Sequence, residues 1–250
     1  MKGITVMKLD FTVSEVDGFV CHEFKFEGRD AKVVLPKKPD PEGRWLMKTE
    51  YFGAFPAFQN EMLTRGYHVA YVANVTRWMI PDDIDVKERF AAYLEAEYGL
   101  NKKCVPVGMS CGGLHAVYFA AKYPERIAAL YLDAPVFNLL SCPMGLGKAH
   151  SGMSEEFINA TGMTLIDLIN YRNHPIDQKE KLLKANVPVI MVYGDSDESV
   201  PYDENGAHFE KFYRENGGVI EAYGKKNCGH HPHGLPDNTP IREFVERFYK

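Results

Sequence analysis

Residues of high β propensity fill 18–26 and 29–35, and Glu27-Gly28 separates the two runs, so an antiparallel hairpin is predicted at the start of the chain. An alternation of strands and helices follows. Residues 45–47 read as a strand, 55–65 as a helix with Pro56 in its first turn, and 68–73 as a strand after the Arg65-Gly66 stop. Val86, Phe90 and Leu94 mark one face of a helix that ends at Gly99. Residues 104–107 form a short apolar strand, and Leu114, Val117, Tyr118 and Ala121 recur at i, i+3, i+4 and i+7, which predicts a helix stopping at Pro124. The runs 127–132 and 189–193 are too apolar on both faces for an exposed edge. Phe209, Phe212 and Tyr213 stripe another helix, 219–223 is a last strand, and Ile241, Phe244, Val245 and Phe248 give a closing helix behind Thr239-Pro240.

Parallel neighbours require crossovers and helices supply them, so this order predicts an α/β fold: a doubly wound, mostly parallel sheet in one domain spanning 1–250. Residues 137–175 break the rhythm. They are rich in Gly, Met, Ser and Asn, with one short helix predicted at 163–171, and are expected to form a cap inserted above the sheet. The alternative is a plain surface excursion.

Composition narrows the function. The chain has 250 residues, 45% hydrophobic and 25% charged, which suits one globular domain able to bury its own core. Its formal net charge is -5 and its 29 Lys and Arg are dispersed, so no nucleic-acid partner is expected. No apolar stretch is long enough to span a bilayer, and residues 1–10 alternate apolar with charged positions instead of forming a secretory core. Cys21, Cys104, Cys111, Cys142 and Cys228 are odd in number and lack a CxxC, which fits reduced thiols and a cytoplasmic protein. Nothing in the pattern specifies an oligomeric state.

The candidate chemistry begins at Gly108-Met109-Ser110-Cys111-Gly112, a G-x-S-x-G pattern between a predicted strand and a predicted helix. A sharp strand-to-helix turn there would expose Ser110. Glycines at 108 and 112 remove side chains that would collide, and Gly113 lets the helix start close to the sheet. A serine hydroxyl is a weak nucleophile near neutral pH, so it needs a base, and the base needs a carboxylate to fix its tautomer. Both types of group occur downstream after strands, in Gly194-Asp195-Ser196-Asp197-Glu198-Ser199-Val200-Pro201 and in Asn227-Cys228-Gly229-His230-His231-Pro232-His233-Gly234.

From this elbow to its end the chain resembles the α/β-hydrolase superfamily, whose order of catalytic groups is Ser, Asp, His. The resemblance implies Ser110 as nucleophile, Asp197 as acid, since the loop is similar to G-x-x-D-x-x-V-P, and His230 as base after Gly229. Asp195 and Asp133 are the alternatives for the acid. The backbone N–H of Cys111 is the expected first oxyanion donor. The second should come from Lys48-Thr49-Glu50-Tyr51-Phe52-Gly53, where this sequence departs from the superfamily's His-Gly; the backbone N–H of Glu50 is the first choice and Tyr51 the second. Tyr51, Phe52 and Phe55 also read as aromatic core.

His231 and His233 are expected to pack against the cap or face solvent. Cys228, His230, His231 and His233 are all potential metal ligands, but so many on one short turn rarely converge tetrahedrally, so no metal and no cofactor are expected. The resemblance implies a serine hydrolase acting on a small-molecule ester through an acyl-enzyme, on a small acyl or carbohydrate ester. Amide, thioester or carbon–carbon hydrolysis on the same fold is the alternative. A binding protein that retained the fold is a third reading, against which three reactive groups in this order argue.

Overall fold

The computed structural model describes residues 10–150 and 152–250. The alternating opening stretch 1–10 lies, apart from Asp10, outside the described residues. Three strands, β1 (Thr12–Val16), β2 (Phe19–Phe26) and β3 (Arg29–Val34), form an antiparallel meander. Both connections are two-residue turns in which each residue has positive φ: Asp17 at 52° and Gly18 at 82°, then Glu27 at 50° and Gly28 at 80°. Such turns match the twist of the strands they join. The predicted hairpin is therefore present, with one more strand in front of it.

The remaining strands are β4 (Trp45–Lys48), β5 (His68–Val72), β6 (Val105–Met109), β7 (Leu130–Asp133), β8 (Val189–Gly194) and β9 (Ile220–Lys225). Among the described residues they complete one sheet in the order β1-β2-β3-β5-β4-β6-β7-β8-β9. Pairing is antiparallel from β1 to β5 and parallel from there on. The chain steps outward from β4 to β5 and then returns across β4 to β6. That reversal opens a crevice at the carboxyl ends of β4 and β6, the place where open α/β sheets bind ligands.

Helices cover both faces. α1 (Ala57–Thr64) and α8 (Thr239–Phe248) press Phe58, Met62, Leu63, Ile241, Phe244 and Val245 into one core. On the other side α2 (Pro81–Tyr98), α3 (Cys111–Lys122) and α7 (Gly206–Glu215) bury Phe90, Leu94, Val117, Phe209 and Tyr213. The central strands alternate between these layers: in β8, Val189 and Met191 face one core while Ile190 and Val192 face the other. This two-sided burial is why the strands read as unbroken apolar runs.

Between β7 and β8 lie α4 (Ser154–Thr161), α5 (Leu165–Asn170) and α6 (Lys179–Lys184). Thr164 starts α5 by accepting from Asp167 N–H at 3.3 Å while Asp167 accepts from Thr164 N–H at 2.8 Å. Phe137, Leu139, Phe157 and Leu168 from this segment are buried in the main core. Asn205 Oδ1 accepts from the N–H groups of Phe137 and Asn138, both at 2.9 Å, so the segment's entry is tied to the start of α7.

Close packing of α3 on the sheet requires glycine at two points. A Cβ on Gly108 would stand 2.7 Å from Gly112 O and 2.8 Å from Ala116 Cβ; one on Gly113 would stand 2.4 Å from Pro135 Cβ and 2.8 Å from Pro135 Cα. Pro135 cannot yield without moving backbone. Gly113→Ala should therefore lose stability by about 1–3 kcal/mol despite the helix propensity of alanine. Gly53→Ala, with nothing within 4 Å of the added carbon, should stay within about 0.5 kcal/mol of wild type. Urea unfolding of both variants checks this, and equal stabilities would contradict the close approach.

Candidate active site

Ser110 joins β6 to α3 with φ 52° and ψ -122°, a conformation that costs a non-glycine residue about 1–3 kcal/mol. The surroundings hold it there. Its N–H donates to the Asp133 carbonyl at 2.9 Å, and its own carbonyl accepts from Gly113 N–H at 2.9 Å and Val136 N–H at 3.1 Å. The hydroxyl is thereby turned out of the sheet edge toward the loops that follow β8 and β9.

Those loops are bound to each other. Asp195 N–H donates to the Lys225 carbonyl at 3.1 Å and Ser196 N–H to the Cys228 carbonyl at 2.9 Å. Gly194 permits this contact, because a Cβ there would lie 2.2 Å from Gly229 O. Asp197 is buried, and its Oδ1 accepts from the N–H groups of Ser199 at 2.9 Å and Val200 at 2.8 Å. Its Oδ2 lies 2.7 Å from His230 Nδ1, and His230 Nε2 lies 3.0 Å from Ser110 Oγ. With Asp197 ionised, Nδ1 carries the hydrogen and Nε2 accepts from the serine hydroxyl. Ser110, His230 and Asp197 are thus brought into one hydrogen-bonded chain.

A family model described as alpha/beta hydrolase fold matches residues 60–164, a span that contains the elbow. Its fold is that of the α/β-hydrolases. Among curated protein sequences none matches it. Solved structures similar to this chain include a puromycin-hydrolyzing peptidase from Mycobacterium tuberculosis (TM-score 0.69, 16% identity), with 96% of this chain spanning 39% of that one. Est1E from Butyrivibrio proteoclasticus has a TM-score of 0.61 at 16% identity, covering 95% of this chain and 96% of that one. An S-formylglutathione hydrolase from Agrobacterium tumefaciens has a TM-score of 0.64 at 14% identity, covering 96% of this chain and 100% of that one.

The two other candidate acids are engaged elsewhere. Asp195 is exposed and accepts from Ser196 Oγ at 2.9 Å. Asp133, at the end of β7, lies 2.7 Å from His233 Nδ1 and accepts from Gly234 N–H at 2.6 Å and Tyr131 Oη at 3.0 Å. A second buried Asp–His pair therefore stands beside the first, which the sequence pattern did not reveal. His233 is not a solvent-facing loop residue, since its side chain is only 3% exposed. His231 is exposed and stacks on Phe55, ring centroids 5.3 Å apart.

A cavity of about 300 Å³ opens over Ser110 and is lined by Tyr51, Arg77, Cys111, Met153 and the three histidines. Larger depressions of about 740 Å³ against β1–β3, 640 Å³ beside Tyr202 and 390 Å³ beside Tyr118 are lined by neither Ser110 nor His230. Cys111 lines the cavity. Tyr51 is on the cavity wall and the Glu50 side chain is not. The physical reason is local: Tyr51 has φ 53°, while the Glu50 carboxylate is drawn to the Asn74 amide. Burial raises the Tyr51 phenol above its ordinary range, the adjoining Cys111 thiol adds to the rise, and Arg77 opposes it. Burial likewise pushes the Cys111 thiol up to about 11, so both groups stay protonated at neutral pH. Arg77 itself pairs with Glu156 of α4 and lies over the Trp78 ring, which carries the inserted segment to the cavity wall. Among the described residues no helix is long and apolar enough to cross a membrane.

Behind the elbow Lys48 is buried, its Nζ donating to the Ala54 carbonyl at 3.1 Å and reaching Met109 Sδ at 2.9 Å. Burial pushes its ammonium down to about 7, against the pull of the Asp133 carboxylate. Between that value and the unfolded one of about 10.4 the unfolded chain binds the extra proton, so this lysine adds stability as pH rises through the window. Lys48→Met should gain most over wild type near about pH 7, and the gain should shrink toward about pH 10. Urea melts across that range check the trend; a difference independent of pH would contradict it.

Proposed function

We propose that this protein is a serine hydrolase that cleaves small-molecule carboxylic esters through an acyl-enzyme. The observation that carries the reading is the hydrogen-bonded chain from Asp197 through His230 to the Ser110 hydroxyl, set in the wall of a cavity. Ser110 Oγ attacks the ester carbonyl as His230 Nε2 takes its proton, and Asp197 stabilises the imidazolium that forms. His230 then passes the proton to the departing alkoxide. Water, deprotonated by the same nitrogen, attacks the acyl-enzyme and releases the acid.

The tetrahedral oxyanion needs donors in place before it forms. Cys111 N–H is the first, at the start of α3, where the helix dipole favours negative charge. For the second, Tyr51 is the better candidate than Glu50. It lines the cavity, and its phenol, protonated at neutral pH, has the buried thiol of Cys111 and the Arg77 guanidinium beside it.

A cavity of this volume sits at the small end for ligand sites, which favours a short acyl chain or a single sugar over a lipid. Residues 137–175 act in this reading as the substrate-selecting cap, through Met153 on the wall and Glu156 on Arg77. The odd number of thiols favours a reducing, cytoplasmic setting. Likeness to a protein named as a peptidase and to one named as an S-formylglutathione hydrolase makes amide or thioester cleavage the second reading.

Turnover on a panel of acyl esters, sugar esters, thioesters and anilides tests both. Esters should give the highest kcat/KM; a preference for anilides or thioesters would favour the second reading. Ser110→Ala should lose roughly four or more orders of magnitude while remaining folded. Asp197→Asn should fall by about four orders, far more than Asp133→Asn. Tyr51→Phe should lower kcat by about 10²–10³ if the phenol is the second donor, and an unchanged rate would return that role to the backbone. A folded Ser110→Ala protein with near-native turnover would remove the nucleophile assignment.

A further inference from the structure

Three imidazoles of one turn face the same cavity. His230, His231 and His233 offer ligand atoms within 4.8 Å of one another. Their ring centroids are 4.8, 5.0 and 5.0 Å apart, with interplanar angles of 63°, 81° and 89°, a propeller about a common centre. Three of the four potential ligands on this turn therefore lie close together, and the Cys228 thiol is not one of them. Two of the rings are prepared further: Asp197 and Asp133 each lie 2.7 Å from the Nδ1 of His230 and His233, and both carboxylates are buried. A carboxylate on Nδ1 fixes the hydrogen there, leaves Nε2 as a lone pair and raises its basicity, which is the outer shell that metal-ligating histidines carry.

We propose that His230, His231 and His233 form a binding site for a divalent transition-metal ion of the imidazole-preferring class, with Zn²⁺ as its representative. Three neutral nitrogens with no oxygen donor among them suit Zn²⁺ and disfavour Mg²⁺ or Ca²⁺. A tetrahedral ion with metal–nitrogen bonds of about 2.0–2.1 Å sets its ligands roughly 3.4 Å apart, so the rings close on it by movements on the order of 1 Å. Phe55 walls the site, stacked on His231 and edge-on to His233 at 5.1 Å. The fourth position is left to water.

The site and the proposed chemistry compete for one atom. His230 Nε2 is both the metal ligand and the acceptor 3.0 Å from Ser110 Oγ. Bound metal therefore blocks proton transfer, and the ion acts as a reversible inhibitor. This consequence, unlike the binding itself, rests on the hydrolase reading above.

Calorimetric titration of the chelator-treated full chain with ZnCl₂ tests the binding. Wild type, Ser110→Ala and Cys228→Ser should bind alike, because neither the serine nor that thiol belongs to the trio. His231→Gln and His233→Gln should each weaken binding by roughly tenfold or more, and Asp133→Asn by about 10–100-fold, with folding checked by circular dichroism. Absence of binding to wild type, its loss in Cys228→Ser, or its indifference to both histidine variants would overturn the site. Ester turnover is then followed with Zn²⁺ and again after EDTA. Inhibition that EDTA reverses supports the competition; full turnover with the site occupied overturns it. Zinc binding by a protein with no turnover on any ester, thioester or anilide would sustain the site and sink the hydrolase reading.

Discussion

The backbone of Ser110 is where the rest of this molecule converges. A non-glycine residue at φ 52° and ψ -122° is unfavourable alone, and it persists because three backbone hydrogen bonds tie it to Asp133, Gly113 and Val136. Those bonds exist only if α3 starts tight against the sheet and β7 ends beside β6. Gly108 and Gly113 permit the first, with no room for a Cβ at either, and the parallel pairing of Met109 with Asp133 secures the second. Buried strands and close-packed glycines thus hold one hydroxyl out of a sheet edge.

Parallel strands bring their carboxyl ends to the same edge, so residues far apart in sequence meet there. Ser110 follows β6, Asp133 ends β7, Asp197 follows β8 and His230 follows β9. The result is two buried Asp–His pairs side by side, only one of which reaches the serine. The second pair has its own consequences. It removes Asp133 from competition for His230, and it aligns His233 with His230 and His231 around one small volume.

Much of this was legible in the sequence because the fold repeats one physical rule. Apolar runs bounded by helix stops identify strands buried on both faces, and the elbow glycines identify the turn that interrupts them. β1 escaped notice because Thr12–Val16 is an edge strand whose side chains are mostly exposed, leaving little hydrophobic pattern. α4 and α6 are short and each buries a single residue, Phe157 or Leu182, too little to give a periodic signal. Glu50 and Tyr51 could not be separated by counting along the loop, since a positive φ and a hydrogen bond to Asn74 decide which of them meets the cavity. The pairing of His233 with Asp133 spans 100 residues and depends on register alone. His230 and His233 stand close together because carboxylates arriving from other strands, Asp197 and Asp133, hold their rings, which spacing along the turn does not show.

The central claim is that Ser110 is a nucleophile made reactive by His230 and Asp197. Labelling with a small fluorophosphonate, followed by proteolysis and peptide mass mapping, tests it without knowledge of the substrate. The account predicts a single phosphonylated residue, Ser110, whose labelling slows by orders of magnitude when His230 is replaced by Gln. Modification of some other side chain, or a Ser110 that stays unlabelled in the folded wild-type protein, would contradict it.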